Sequence, residues 1–156
     1  MTVEEGQKAP DFTLPDEENR PVKLSDELGE GPVVLSFYLL DFTGVCTNQA
    51  CNFRDALGSL KQNGAKVFGI SVDSPFSHKK FKEEQSVNYP LLSDFNKEVC
   101  RKYGVHYDEI FGLKGVAKRS VFVLDKDGVV RYRWVTEDPG VAPDVNEVAR
   151  VVKELA

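Results

Sequence analysis

Two short apolar runs with a helical pattern between them constrain the fold of this chain more than any other feature. The runs, residues 33–38 and 66–72, are rich in β-branched and aromatic side chains, as buried parallel strands are. Between them, apolar residues recur at spacings of three and four, which predicts the core-facing stripe of an amphipathic helix: Ala50, Phe53, Leu57 and Leu60. We therefore expect a strand–helix–strand unit at the centre of a sheet.

The second half of the chain adds a hairpin and a last helix. Residues 120–124 and 129–135 have strand-like composition, and the segment between them, 125–128, contains the Asp and Gly residues that suit a tight turn. Further on, Asp144 stands where a helix cap is expected. It precedes a one-sided apolar stripe formed by Val148, Val151, Val152 and Leu155.

Two more helices are predicted between these units. We interpret the charged stretch 78–84 as a solvated helix in preference to a basic binding patch. The other helix carries Phe95, Val99 and Tyr103, is opened by residues 93–94 and is closed by Gly104. This order of strands and helices indicates one α/β domain over the whole chain, with a central mixed β-sheet flanked by helices. The pattern resembles a thioredoxin-like fold with an N-terminal extension.

The amino-acid composition argues against nucleic-acid and membrane partners and favours a cytoplasmic location. With 20 basic and 25 acidic residues and a formal net charge of −5, the chain lacks the electrostatic footprint of a nucleic-acid binder. Its longest apolar segment, 33–40, is too short to cross a bilayer, and its first residues are acidic and polar, unlike a secretory signal. We therefore expect a cytoplasmic protein with no nucleic-acid or membrane partner.

The cysteines and histidines offer little material for a disulfide framework or a metal site. Three cysteines in 156 residues is an odd count at low density, which is typical of a reducing compartment. There is no Cys-x-x-Cys pair, and His78 and His106 stand far apart in the sequence, so we expect no metal. We also expect no bound cofactor, because the sequence contains neither a Gly-x-Gly-x-x-Gly fingerprint nor a phosphate loop.

The stretch 41–51, at the junction of the first central strand with its helix, is the most suggestive of chemistry. Open α/β sheets carry their sites at this edge. Cys46 is expected in or just before the first helical turn, where unpaired N–H groups and the helix dipole favour a thiolate. Most unpaired cysteines are small buried hydrophobes, but this corner, three residues after Thr43, makes Cys46 a candidate nucleophile. Thr43 itself can cap the helix or donate to a bound oxygen.

Four segments of the chain resemble the peroxiredoxin family. Residues 43–47 (TGVCT), followed by 53–55 (FRD), are similar to the family's peroxidatic motif. Residues 9–14 resemble its N-terminal signature, 71–74 the end of its second strand, and 117–123 its active-site arginine segment. The likeness extends over nearly the whole chain and keeps the family's order.

This resemblance implies an antioxidant peroxidase acting on hydrogen peroxide or organic hydroperoxides. In the family, a cysteine thiolate attacks the peroxide while a threonine and an arginine hold it, and these roles fall here on Cys46, Thr43 and Arg119. By itself, an arginine at the head of a strand is more often a surface residue. Relatives occur as monomers, dimers and larger rings, and we expect a monomer or a homodimer.

Two positions depart from the family pattern. The motif's proline, seven residues before the nucleophile, is replaced by Leu39, which changes the shape of the pocket but can still exclude water. The position three residues after the nucleophile is commonly glutamate in relatives and is Gln49 here, so a charge that can orient an arginine is lost. Because of these two departures, we expect slower peroxide reduction than in relatives, or a different peroxide preference.

The spacing of Cys46 and Cys51 resembles the peroxiredoxin Q branch, also called bacterioferritin comigratory protein. The resemblance implies a Cys46–Cys51 disulfide that a dithiol protein such as thioredoxin or glutaredoxin reduces. Residues five apart on a helix are separated by about 140° and roughly 7.5 Å, whereas a disulfide needs converging side chains. The segment from Thr43 to about Arg54 is therefore expected to unwind in each cycle. Cys100 is interpreted as structural, with a fallback role as the resolving thiol.

Two other functions remain open on the sequence. One is a thioredoxin-like disulfide oxidoreductase, although its paired cysteines are normally separated by only two residues. The other is a non-catalytic redox sensor or binding module, which Leu39 and Gln49 favour.

Overall fold

Five strands form a mixed sheet in the order β5-β4-β3-β6-β7, which confirms the predicted central sheet. The computed structural model describes residues 2–156, apart from the side chain of Cys46. β3 (Val33–Phe37) runs parallel to β4 (Lys66–Ser71), and β4 runs parallel to β5 (Leu91–Ser93). On its other side β3 pairs antiparallel with β6 (Ser120–Leu124), which forms the predicted hairpin with β7 (Val130–Val135).

The N-terminal extension forms a small structure of its own beside this sheet. β1 (Thr13–Pro15) and β2 (Pro21–Lys23) pair antiparallel, and α1 (Leu24–Glu27) follows directly. Phe12 and Leu24 are buried and pack into the main core, so the extension covers part of one face of the sheet.

Over residues 2–156 the fold contains four further helices: α2 (Gly44–Gln62), α3 (Pro75–Gln85), α4 (Glu98–Lys102) and α5 (Val145–Leu155). The cap predicted for α5 is confirmed, because the Asp144 carboxylate accepts hydrogen bonds from the backbone N–H groups of Asn146 and Glu147. None of the helices in the described part of the chain is long and apolar enough to span a membrane.

The sheet separates two hydrophobic layers, because successive side chains of a strand point to opposite faces. Val34 faces the layer that contains α2 and α5, here called the α2 layer, whose buried residues include Phe53, Leu57, Val148 and Val152. Leu35 and Phe37 face the opposite layer, which we call the aromatic layer. It contains edge-on or tilted ring contacts among Phe12, Phe37, Tyr103 and Phe122.

The helix predicted around Phe95 is wrong at its start. Phe95 is 61% exposed and precedes α4, which begins only at Glu98. The reason is local, because the Asp94 carboxylate accepts hydrogen bonds from the backbone N–H groups of Val99 and Cys100, and Lys97 adopts a left-handed conformation with φ of 63°. The apolar stripe therefore consists of Val99 and Tyr103 without Phe95.

The solvated helix predicted at 78–84 is correct for most of its residues but wrong for one face. His78 and Phe81, three residues apart on α3, are both completely buried. The charged side chains around them point outward. Because most residues of the segment are charged, the burial of His78 was not predicted.

Candidate active site

Strand pairing brings distant segments to one edge of the sheet. Phe37, at the end of β3, is paired with Ile70 of the parallel β4 and with Ser120 of the antiparallel β6. Because β6 runs in the opposite direction, its first residue lies beside the last residue of β3. Arg119 is therefore placed next to the loop that leads from β3 into α2.

The backbone of Cys46 lies in the first turn of α2, as predicted, while its side chain is outside the described residues. Thr43 occupies the N-cap position of α2 with extended φ and ψ, but its side chain does not cap the helix. Its hydroxyl instead donates to the backbone oxygen of Leu40, at 3.0 Å. The Thr43 hydroxyl was expected to donate to a substrate, but its proton is already given to Leu40. Its oxygen can still accept a hydrogen bond from a substrate.

Arg119 is buried, with 2% of its surface exposed, and meets the α2 helix one turn beyond Cys46. Its Nη1 donates to Oε1 of Gln49 at 3.4 Å, and its Nε donates to the backbone oxygen of Pro139 at 2.6 Å. An arginine at the head of a strand is more often a surface residue, but the fold buries this one. The structure instead brings this guanidinium to the first turns of α2.

Gln49 does more than fill the position that relatives give to glutamate. Its Nε2 donates to Ser36 Oγ at 2.8 Å and to the Phe37 backbone oxygen at 3.0 Å. A carbonyl oxygen can only accept, so the amide nitrogen must face Phe37, which turns Oε1 toward Arg119. A carboxylate could accept from Arg119 but could not donate to the Phe37 oxygen. The predicted loss of an orienting group is thus offset by a neutral amide that bridges β3 and Arg119.

Leu39, the other departure from the family motif, is buried in the aromatic layer. Its side chain packs there as an ordinary core residue.

Cys51 is half-buried on α2 and faces the end of α3. Its thiol donates to Gln85 Oε1 at 3.7 Å, and Arg54 Nη1 donates to the Gln85 backbone oxygen at 2.6 Å. The hydroxyl of Tyr89 donates to the backbone oxygen of Ala50 at 3.0 Å. The segment around the end of α3 therefore holds the second and third turns of α2 in place.

Cys100 lies in the aromatic layer, on the opposite side of the sheet from α2. It is completely buried, and burial together with the neighbouring Asp94 carboxylate raises the pKa of its thiol to about 12. Its Sγ lies 3.5 Å from the Gly115 backbone oxygen, to which it donates. The sheet between the two layers makes Cys100 a poor partner for a thiol on α2.

We expect Cys100 to resist alkylation in the folded protein. At pH 8 its thiolate population should be so small that iodoacetamide labels it more than about a hundredfold more slowly than a free cysteine. Peptide mass spectrometry after timed labelling measures this rate, and labelling in denaturant serves as the control. Equal rates in the folded and denatured protein would show that the thiol is accessible.

A buried polar network also lies at this edge, formed by Tyr38, Asp41, Asp73 and His78. The Tyr38 hydroxyl donates to Asp41 Oδ1 at 2.5 Å, and His78 Nδ1 lies 2.7 Å from Asp41 Oδ2. The backbone N–H of Asp41 donates to Asp73 Oδ2 at 2.8 Å. Burial and the charge of Asp41 raise the pKa of both Tyr38 and Asp73. This network was not predicted from the sequence, although the three-residue spacing of His78 and Phe81 on a helix was a usable signal.

Asp41, Asp73 and His78 also have the spacing of a metal site, since one ligand atom of each lies within 4.8 Å of the others. However, His78 Nε2 lies 2.9 Å from the backbone oxygen of Leu92, and Nδ1 faces Asp41. Both ring nitrogens are thus engaged in hydrogen bonds, and a cation would have to displace Asp41 to reach one. The donor set fits a hydrogen-bond network better than a metal centre.

The chain is similar in sequence to known proteins over most of its length. Residues 5–133 match the model of the AhpC/TSA family. A Coxiella burnetii protein provisionally named peroxiredoxin bcp is 42% identical over 158 residues, which cover 99% of this chain and 100% of that protein. The chloroplastic peroxiredoxin Q of Oryza sativa subsp. japonica is 46% identical over 130 residues, which cover 83% of this chain and 58% of that longer protein.

Solved structures show the same architecture. The crystal structure of peroxidoxin BcpB from Mycobacterium tuberculosis has a TM-score of 0.88 at 33% identity and covers 99% of both chains. A peroxiredoxin-like protein from Aquifex aeolicus has a TM-score of 0.89 at 27% identity, covering 100% of this chain and 90% of that one. These likenesses confirm the predicted fold class.

Proposed function

The chain belongs to the peroxiredoxins of the AhpC/TSA family, and on that premise we propose that it reduces peroxides through Cys46. The thiolate of Cys46 attacks the terminal oxygen of hydrogen peroxide or an organic hydroperoxide. The S–O bond forms as the O–O bond breaks, sulfur is oxidised to a sulfenic acid, and water or an alcohol leaves after taking up a proton. The observation that carries the proposal is the contact between buried Arg119 and Gln49, three residues after Cys46.

The surrounding groups fit the charge changes of this reaction. The first turn of a helix favours an anion, and the backbone of Cys46 lies there. Charge moves to the leaving oxygen as the O–O bond breaks, and the fixed cation of Arg119 can stabilise it. Thr43 contributes an acceptor, because its hydroxyl proton is given to Leu40, and a peroxide O–H is a suitable donor to it.

We further propose that Cys51 resolves the sulfenic acid as a Cys46–Cys51 disulfide, releasing water. Both residues are on α2, so the helix must unwind between them before the two sulfur atoms can meet. Ala50 and Phe53 are both buried in the α2 layer and lie within the segment expected to unwind, so their packing has to open as well. The contacts of Cys51 with Gln85 and of Ala50 with Tyr89 have to loosen.

The disulfide then needs an outside dithiol, for which a thioredoxin-type protein is the proposed donor. The odd count and low density of cysteines, three in 156 residues, support a reducing compartment, and we propose the cytoplasm.

The experiment that tests the function is peroxide consumption by the wild-type protein with a dithiol donor in excess. A peroxidase consumes many equivalents of hydrogen peroxide per chain. A sensor consumes one equivalent and stops, and a disulfide oxidoreductase reduces insulin disulfides without consuming peroxide. Either of the last two results would reject the proposal.

Replacing Cys51 by serine tests the resolving step. We expect Cys51→Ser to keep the first oxidation of Cys46 but to lose most of the turnover that thioredoxin supports, because no disulfide is formed for it to reduce. Mass spectrometry after one equivalent of hydrogen peroxide should show the Cys46–Cys51 link in the wild type and sulfenic or sulfinic Cys46 in the variant.

Cys100→Ser is the matched control, and it should form the link normally. A Cys46–Cys100 link in Cys51→Ser, with turnover preserved, would contradict the assignment of Cys51.

A further inference from the structure

We propose that His78 is a positioning residue for the peroxidase reaction, holding Asp41 and thereby the turn that presents Thr43 to the peroxide. The inference rests on the function proposed above and extends it to a residue on another helix. His78 belongs to α3, far from α2 in sequence, and is completely buried.

The hydrogen-bond partners of His78 fix how it can act. The backbone oxygen of Leu92 can only accept, so Nε2 must carry a proton. At the other nitrogen, a bare lone pair facing a carboxylate oxygen at 2.7 Å would be repulsive, so a proton must lie between Nδ1 and Asp41. The imidazole ring of His78 is thus hydrogen-bonded at both nitrogens and links the β5 backbone to the Asp41 side chain.

Asp41 is held from several sides at once. Besides His78, Tyr38 donates to its Oδ1, and Ser77 Oγ donates to its Oδ2 at 3.2 Å. Its backbone N–H is bound by the Asp73 carboxylate. A buried carboxylate that loses a donor has to move toward another donor or toward water, because its charge cannot remain unsatisfied. Removing His78 should therefore displace Asp41 first.

The chain between Asp41 and α2 transmits any such displacement. Phe42 has a φ of 68°, a left-handed conformation that a bulky residue keeps only where its neighbours are fixed. Phe42 is 50% exposed, and its ring makes an edge-on contact with Phe81 of α3. Thr43 follows immediately and donates back to Leu40, which precedes Asp41. The turn 40–43 is thus anchored at Asp41, and the Thr43 hydroxyl depends on that anchor.

The test is a double-mutant cycle between His78→Phe, which keeps a ring in the cavity, and Thr43→Ala. The quantity measured is the second-order rate constant for oxidation of Cys46 by hydrogen peroxide, from quenched-flow mass spectrometry. We expect His78→Phe to lower it at least about tenfold, since small misplacements of positioned groups have effects of this size. In the Thr43→Ala background the same change should lower it less than about threefold, because coupled residues are not additive.

Two further variants make the result decisive. Val152→Ala empties part of the α2 layer beneath α5, so it should lower the melting temperature and leave the rate constant unchanged in both backgrounds. If His78→Phe does not fold, Tyr38→Phe removes a single donor to Asp41 and should show the same coupling to Thr43→Ala at smaller size.

An unchanged rate in His78→Phe, or equal losses in both Thr43 backgrounds, overturns the positioning role. If hydrogen peroxide does not oxidise Cys46 in the wild type at all, the proposed function has failed, and the positioning role fails with it.

Discussion

Cys46→Ser is expected to abolish peroxide turnover, with a loss of at least about a thousandfold, because the reaction needs an ionised nucleophile. A serine hydroxyl does not ionise near neutral pH, and oxygen cannot form the sulfenic acid on which the rest of the cycle depends. The measurement is hydrogen peroxide consumption with a dithiol donor, together with the melting temperature to confirm folding.

Cys100→Ser is the matched control for this variant. Its thiol is buried on the other side of the sheet, and its removal should leave turnover unchanged. Substantial turnover by Cys46→Ser, or a loss confined to Cys100→Ser, would mean that the nucleophile has been assigned to the wrong cysteine.

Arg119→Met should lower the rate constant for Cys46 oxidation by about 10²–10³, the usual effect of removing one donor that stabilises developing charge. Methionine keeps much of the buried volume while removing the cation and its hydrogen bonds to Gln49 and Pro139. The rate of the first oxidation is the quantity to measure, because it excludes effects on the disulfide and the reductant.

Arg119→Lys separates charge from geometry. A lysine ammonium is a single point and cannot reproduce the planar fork that donates in two directions, so an intermediate loss is expected. If Arg119→Met oxidised Cys46 at the wild-type rate, the guanidinium would have a structural role only, as a link between the start of β6 and the Pro139 loop.

The central strands were predictable because each one combines burial, β-branched composition and clear turn signals. β6 has the predicted bounds, and β3, β4 and β7 differ from prediction by one residue at one end. For α2 the stripe at Ala50, Phe53 and Leu57 was sufficient, since these residues are buried in one layer as predicted. In each case the local pattern and the tertiary environment favour the same structure.

Errors arose where a side chain competes with the regular pattern. The Asp94 carboxylate binds two backbone N–H groups and delays the start of α4, which leaves Phe95 exposed. The sequence of α3 is so rich in lysine and glutamate that the inward direction of His78 was not recognised. The short strands β1, β2 and β5, of three residues each, carry too little pattern to be identified.

The site shows the same division. The position of Cys46 in the first turn of α2 followed from the strand–helix junction, and the backbone lies there. The proximity of Arg119 to α2 depends on the antiparallel pairing of β3 and β6, which a single sequence does not display. Gln49 stands where relatives commonly have glutamate, and its amide donates to Ser36 and Phe37 of β3. These contacts join residues that are distant in sequence, so they could not be predicted from it. The roles of Cys46, Thr43, Arg119 and Cys51 stay predictions.

The division of the interior by the sheet bears on how such a chain can survive its own chemistry. Among the side chains that the structure describes, the aromatic layer, with Phe37, Tyr103 and Phe122 in mutual contact, shares none with the α2 layer. The unwinding of α2 that we propose would therefore disturb contacts in the α2 layer and leave those of the aromatic layer in place. The ring contacts of Phe37, Tyr103 and Phe122 lie outside the part of the core that this proposed step opens.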